Sequence, residues 1–224
     1  MLSPADFFDL DGFVHSALFD GVEYVWEVIG RIHHYALAAA TGEVLGQVME
    51  GAQLIGDRIT IGPGSVVEPG AMIKSPCVIG RDTEVRQGAY LRGNVVVGDG
   101  CVVGHCSELK NAVLLDGAGA PHFNYVGDSI LGRRVNLGAG TKTSNVKVLG
   151  STVVVKVNGR EYDTGLRKLG AILGDGAQTG CNVVLNPGTL IGRNTRVYPC
   201  TSVRGYYGDN MLIKLRQAVE AEPL

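Results

Sequence analysis

An aliphatic residue stands at every sixth position from Ile55 onward, at Ile61, Val67, Ile73, Ile79, Val85, Leu91, Val97, Val103, Leu109 and Leu115. Eleven hits in a row leave few folds open. A period of six drifts around a 3.6-residue helical turn, so no single helical face collects these side chains. Short strands do collect them, because side chains two apart share a face. Four residues after each aliphatic position the side chain is usually small, as at Ser65, Ala71, Cys77, Thr83, Ala89, Cys101, Ser107 and Gly119. Large and small inward positions therefore alternate. Glycine often follows the aliphatic residue (Ile55-Gly56, Ile61-Gly62, Ile79-Gly80, Val97-Gly98, Val103-Gly104), which ends each strand in a turn. The 33 glycines among 224 residues, with only 6% aromatics, suit a chain made of many tight turns.

This pattern resembles the hexapeptide-repeat family, in which three hexapeptides make one triangular coil of eighteen residues. The periodicity does not fix handedness. The resemblance implies a left-handed parallel β-helix, against the usual right-handed crossover, with room for about seven coils that each need their neighbours for burial. The register breaks after Leu115, resumes at Val126, Leu131 and Leu137, breaks again, and returns at Leu173, Thr179, Leu185, Ile191, Val197 and Val203. Two insertions are therefore expected, near 116–125 and 146–170, the second alternating like a hairpin with Asn158-Gly159 at its tip. The expected organisation is an all-β solenoid over 51–208, preceded by an N-terminal helical segment (1–50) and followed by a C-terminal helix or tail (209–224). Within the first segment, apolar residues at helical spacing predict a helix over 17–40, on or before the first coil. Residues 209–220, opening with Asp209 and Asn210, predict a short closing helix.

Composition narrows the function. A formal net charge of -2 offers no basic stripe for a nucleic-acid backbone. The start lacks a signal-peptide pattern and no apolar run approaches a membrane span, so a cytoplasmic protein without membrane partners is expected. The five cysteines form no zinc-ribbon pair and are expected to be reduced core residues.

An eighteen-residue coil stacks Arg92 beneath Lys110. Two stacked cations without an intervening carboxylate repel, which is tolerable when an anion such as phosphate binds between them; a solvated surface pair fits the spacing equally. His122, in GAGAPHFNYVGDS beside Tyr125, has the chemistry of a general base and also the setting of a plain surface histidine. In VNLGAGT at 135–141, glycines flank Ala139, so its backbone could approach a ligand or form one more corner of the solenoid.

The stretch from Tyr90 to Asn145, with LRG at 91–93, ELKNA at 108–112, APHFNYVGDS at 120–129 and VNLGAGTKTSN at 135–145, is similar to the acetyltransferase domain of a bifunctional bacterial family. That family joins N-acetylglucosamine-1-phosphate uridyltransferase to glucosamine-1-phosphate acetyltransferase. The similarity weakens before Ile55, and the second insertion is longer here; it recovers at RKLGAILGDGAQTGCN and GDNMLIKLR. The resemblance implies His122 as the base, Arg92, Lys110 and Tyr125 as sugar-phosphate ligands, and Asn145 and Lys168 as residues completing the sugar and acetyl site. It implies that Asn136 belongs to the catalytic set, that the Ala139 backbone lies by the thioester carbonyl, and that Cys181, Pro199 and Arg216 contact coenzyme A. The implied activity is transfer of an acetyl group from acetyl-CoA to an amino-sugar 1-phosphate such as glucosamine-1-phosphate, in a homotrimer.

Pro121 replaces the family's glycine before the histidine and could re-aim that corner. Uridyl transfer is not expected from this polypeptide. Two rival readings remain: a non-catalytic sugar-phosphate-binding or accessory protein, and a zinc hydratase on the same fold, which needs three converging histidines where the repeats hold only His105 and His122.

Overall fold

The computed structural model describes residues 2–216 and 220. Short strands stack in parallel and wind into a left-handed β-solenoid. One face carries nine strands, from Gln47–Val48 to Leu212–Ile213, so the chain makes about nine turns rather than seven. From Ile61 to Leu109 the six-residue series points into the prism and is buried, interleaved with buried Ser65, Ala71, Cys77, Thr83, Ala89, Cys101 and Ser107.

The ends of the series differ from the pattern. Leu54 packs inward while Ile55 is exposed, and Leu114 joins the inner core while Leu115 faces outward. A strand has a side-chain period of two, so a one-residue change in coil length turns every later side chain to the other face. The first coil is longer by one residue (Leu54 pairs with Ile73), and Leu109 pairs with Leu91 while Ala112 pairs with Val95, which removes one residue at that corner.

That deletion is what the sequence pattern mimics as a first insertion. Residues 116–125 are ordinary coil, and Gly119–His122 is a strand pairing with Val102–His105, so His122 stands directly over His105. The second insertion is real: Ile130 pairs with Ile172, and the extra chain forms the antiparallel hairpin Val154–Val157/Arg160–Asp163. At its tip Asn158 (φ 49°) and Gly159 (φ 80°) are both left-handed, as a two-residue hairpin turn requires.

The N-terminal segment is not one helix. Within 17–40, Ser16–Phe19 and Val25–Glu27 are single 3₁₀ turns, Gly21 breaks the chain between them at φ 63°, and the α-helix is confined to Val28–Ala39; a separate short α-helix spans Pro4–Phe7. Nor does it sit before the first coil. It lies across the outside of one prism face, where Phe7, Phe19, Trp26, Ile29 and Ile32 cover an outward column of Val96, Val113, Ile130, Ile172 and Leu190. Val153, Val155 and Val157 of the hairpin cover the rest. Strands on this face are buried on both sides, at Cys77–Ile79, Val95–Val97, Ala171–Leu173 and Thr189–Ile191, and accordingly read as apolar runs, with Thr189 the one polar residue in these four. Strands of the other faces, such as Glu84–Val85 and Arg196–Val197, alternate exposed and buried.

The expected C-terminal helix is also absent from the described residues. Leu212–Ile213 is a strand that extends the solenoid on Arg196–Val197. Asp209-Asn210, which resembles a helix cap, instead forms a corner with Asn210 at φ 56°. Asn suits both roles because its short side chain bonds to local backbone and tolerates the left-handed region. Residues 217–219 and 221–224, the remainder of that expected helix and tail, lie outside the described residues.

Candidate functional site

The ladder sorts the expected site residues onto two edges of the prism. Along the first, His105 O accepts from Phe123 N, His122 O from Gly140 N, Ala139 O from Asn182 N, and Cys181 O from Cys200 N, each at 2.8 to 2.9 Å. His105, His122, Ala139, Cys181 and Pro199 therefore occupy one corner of successive coils. With about 4.8 Å between coils, His122 and Pro199 are about 14 Å apart along this edge. The His122, Cys181 and Pro199 side chains are exposed, and Ala139 is half-buried. The Ala139 amide has no acceptor among the described residues, so a donor stands one coil above the histidine.

Pro121 does not re-aim this corner. It sits over Gly104, where a Cβ would stand 1.7 Å from the Pro121 carbonyl oxygen, and the pairing of His105 with His122 continues past it. Buried Asn124, which sequence reasoning passed over, holds the corner. Its Oδ1 accepts from His122 N at 3.0 Å and its Nδ2 donates to Gly138 O at 2.9 Å, tying the histidine's coil to the Ala139 loop. Asn136 lies on the adjoining face, exposed, stacked between Gly119 and Gln178.

The second edge carries Arg92 and Lys110 in consecutive coils, as the spacing predicted. The cations are not unpartnered, however. Arg92 Nη1 lies 2.7 Å from Glu108 Oε1, and Lys110 Nζ lies 2.9 Å from Asp128 Oδ2. Glu108 reaches Arg92 from the same face of its strand, while Asp128, in the left-handed region at φ 47°, turns its carboxylate back along the edge. The Asp128 side chain is 5% exposed and also accepts from Asn111 Nδ2 at 3.0 Å and from Asn145 Nδ2. Lys110, Asn111 and Asn145 thus converge on one buried carboxylate, and Tyr125 joins the cluster through Asn145, whose Nδ2 donates to its Oη at 3.4 Å. The G-D step after Tyr125 was the available signal for Asp128. Nothing in its spacing marked it as the centre.

Burial, with Glu108 and Asp128 nearby, raises the Tyr125 hydroxyl above its ordinary value of 10. The hydrogen bond that Arg92 donates to Glu108, together with the charge of that carboxylate, raises the Arg92 guanidinium above its ordinary value. Lys168 is exposed and bridges to Val146, and Leu169 N donates to Asn145 O at 3.0 Å, which brings Lys168 next to Asn145. Arg216 is exposed, beyond the last strand and one coil past Pro199 by the register of Val197 with Ile213. Among the described residues no group of three or more metal-ligating side chains is arranged to hold an ion. No helix among them is long and apolar enough to cross a membrane.

Fold and stacked edges together define a hexapeptide-repeat β-helix protein. A family model described as the GMPPB C-terminal domain matches residues 73–159. A bifunctional sugar-1-phosphate nucleotidylyltransferase/acetyltransferase of Sulfurisphaera tokodaii is 42% identical over 97 residues, covering 43% of this chain and 24% of that protein. The bifunctional protein GlmU of Methanococcus maripaludis is 32% identical over 188 residues, 84% of this chain and 45% of the relative. The chain thus spans less than half the length of these curated relatives. The UDP-N-acetylglucosamine acyltransferase of Francisella novicida shares the fold, with a TM-score of 0.50 over 72% of this chain and 62% of that one at 15% identity. This chain is similar to the GlmU proteins over less than half of their length.

Proposed function

We propose that this protein is an acetyl-CoA-dependent N-acetyltransferase acting on an amino-sugar phosphate such as glucosamine-1-phosphate. The observation that carries the reading is the column of His122, Ala139, Cys181 and Pro199, beside an edge where Arg92, Lys110, Tyr125 and Asn145 gather. An acetylated pantetheine arm extends over a length comparable to the three coil steps from His122 to Pro199, and the small exposed side chains above Ala139 leave room for it. Arg216, one coil further, is available to the coenzyme's phosphates.

His122 takes the proton from the substrate amine as its nitrogen attacks the thioester carbonyl. The new N–C bond forms, the C–S bond breaks, and the thiolate of coenzyme A leaves and is protonated. Ala139 N–H donates to the oxyanion that develops between these events; loss of one such donor typically costs about 3 kcal/mol. Arg92, Lys110 and Tyr125 hold the sugar phosphate, with Asn145 and Lys168 completing the sugar and acetyl site and Asn136 flanking it. Fixing the amine near the thioester supplies a large part of the acceleration. The exposed Arg92–Glu108 pair is weak and easily exchanged for phosphate. The active form is a cytoplasmic C3 homotrimer in which neighbouring subunits share the site.

The test is thiol release from acetyl-CoA with glucosamine-1-phosphate and with galactosamine-1-phosphate. Turnover that falls at least about a hundredfold in His122→Ala is the expected result for removal of a general base. A folded trimer that releases no thiol with either sugar would instead be a sugar-phosphate-binding or accessory protein.

A further inference from the structure

Two adjoining cavities open where the hairpin meets the upper coils. The larger, about 340 Å³, is lined by Lys147, Val154, Lys156, Pro187, Gly188 and Arg204. Its neighbour, about 200 Å³, shares Lys147, Pro187 and Arg204 and adds Ser144 and Asn186. Among the described residues no carboxylate lines either one. Lys147 Nζ donates to Thr152 O at 2.9 Å, which fixes the ammonium without neutralising it. Lys156 has one pair, with Glu161, and both side chains are more than half exposed, so solvent screens that attraction strongly. Arg204 makes no ion pair among the described residues. Three cations around one hollow repel each other unless an anion lies between them.

The groove belongs to the Arg92–Lys110 edge. The pairings Lys110 with Gly127, Tyr125 with Lys142, Lys142 with Val184 and Val184 with Ser202 put Lys110, Gly127, Ser144, Asn186 and Arg204 at one corner of successive coils. Arg204 stands about 10 Å beyond Ser144 at about 4.8 Å per coil, and Ser144 adjoins Asn145 of the buried cluster. Pro199, on the other edge, is five residues earlier in the same coil, at most about 16 Å away.

We propose that this groove is a nucleoside-diphosphate site. The diphosphate lies among Lys147, Lys156 and Arg204, and the nucleoside rests on the apolar wall of Val154 and Pro187. A nucleoside diphosphate carries about three negative charges near neutral pH, its terminal phosphate having a second pKa of about 6, which matches three cations. The larger cavity falls in the range of small-ligand pockets. The inference concerns binding alone and stands or falls independently of acyl transfer.

Calorimetric titration of the full chain with UDP and with GDP tests it. At least one is expected to bind saturably in the micromolar range, with the corresponding uncharged nucleoside at least tenfold weaker. Arg204→Ala and Lys147→Ala should each weaken binding at least tenfold with an unchanged circular dichroism spectrum, and Arg204→Lys should recover part of the loss. Saturating coenzyme A should leave the titration unchanged. Absence of saturable binding below millimolar concentration, equal affinity in both alanine variants, or displacement by coenzyme A would each overturn the assignment.

Discussion

Phe123 shows what a corner residue costs. Gly88, Cys106, Phe123, Gly140, Asn182 and Cys200 occupy one corner with φ between 49° and 72°, a region in which a bulky L-residue is disfavoured by about 1–2 kcal/mol. The Phe123 ring is 57% exposed and has one aromatic neighbour, edge-on to His105 at 5.2 Å between centroids, so little burial offsets that cost. Phe123→Asn, matching the residue found at Asn182, is therefore expected to stabilise the fold by about 0.5–1 kcal/mol, read as a raised thermal midpoint. A fall in the midpoint would mean that the ring's contact with His105 outweighs the backbone term. Asp128 predicts the opposite sign. Asp128→Asn keeps the side-chain shape and the tolerance for positive φ but strips the charge from a site holding Lys110, Asn111 and Asn145. A loss of about 2–3 kcal/mol in chemical denaturation is expected, the range for hydrogen bonds to a charged group, together with weaker binding of the proposed sugar phosphate, because Lys110 and Asn145 lose their common anchor.

At the scale of elements, the N-terminal segment is held by burial and by a few polar staples. Asp175 accepts from Asp9 N and Arg133 N at 2.7 Å each, joining the segment to a corner of the solenoid. His15 packs on Phe13 and Tyr35 and hydrogen-bonds to Tyr35 Oη at 3.1 Å. Burial pushes the His15 imidazole below its ordinary value of 6.5, partly opposed by Asp99 and Asp116. A depressed native value means that the unfolded chain takes up the proton first as pH falls. The stability contributed by neutral His15 is thus present above about pH 6.5 and is lost as pH drops through the native value. Wild-type thermal midpoints measured between about pH 7.5 and 5.5 should fall more steeply than those of His15→Gln; parallel curves would refute the coupling. Within the covered face, Val113→Ala should cost about 2–3 kcal/mol, since its side chain is buried between sheet and N-terminal segment. The apolar triplets of this face were visible in the sequence as Cys77–Ile79 and Val95–Val97, but a run of apolar residues says only that both sides of a strand are covered, not by what.

For the whole molecule, the proposed trimer predicts a solution mass three times the 23.6 kDa of one chain, measurable by light scattering. A monomer that is nonetheless active would place the whole site within one subunit. The six-residue period by itself determined the run of short strands and its inner core, because inward positions repeat locally along the chain and need no distant partner to declare themselves; the triangular eighteen-residue coil is what the resemblance to the hexapeptide-repeat family implied. With that coil length, Arg92 and Lys110 fall in consecutive coils, since stacking follows directly from it. The tertiary structure alone decided what depends on a one-residue count or on side chains from separate coils. A single missing residue near Asn111 turned an apparent insertion into a regular strand bearing His122. Likewise Glu108 and Asp128 were carboxylates without an address in the sequence, and only the stacking of coils set them against Arg92 and Lys110. Local repetition encodes where the chain turns, whereas the charge balance of an edge is a sum over coils that no single segment contains.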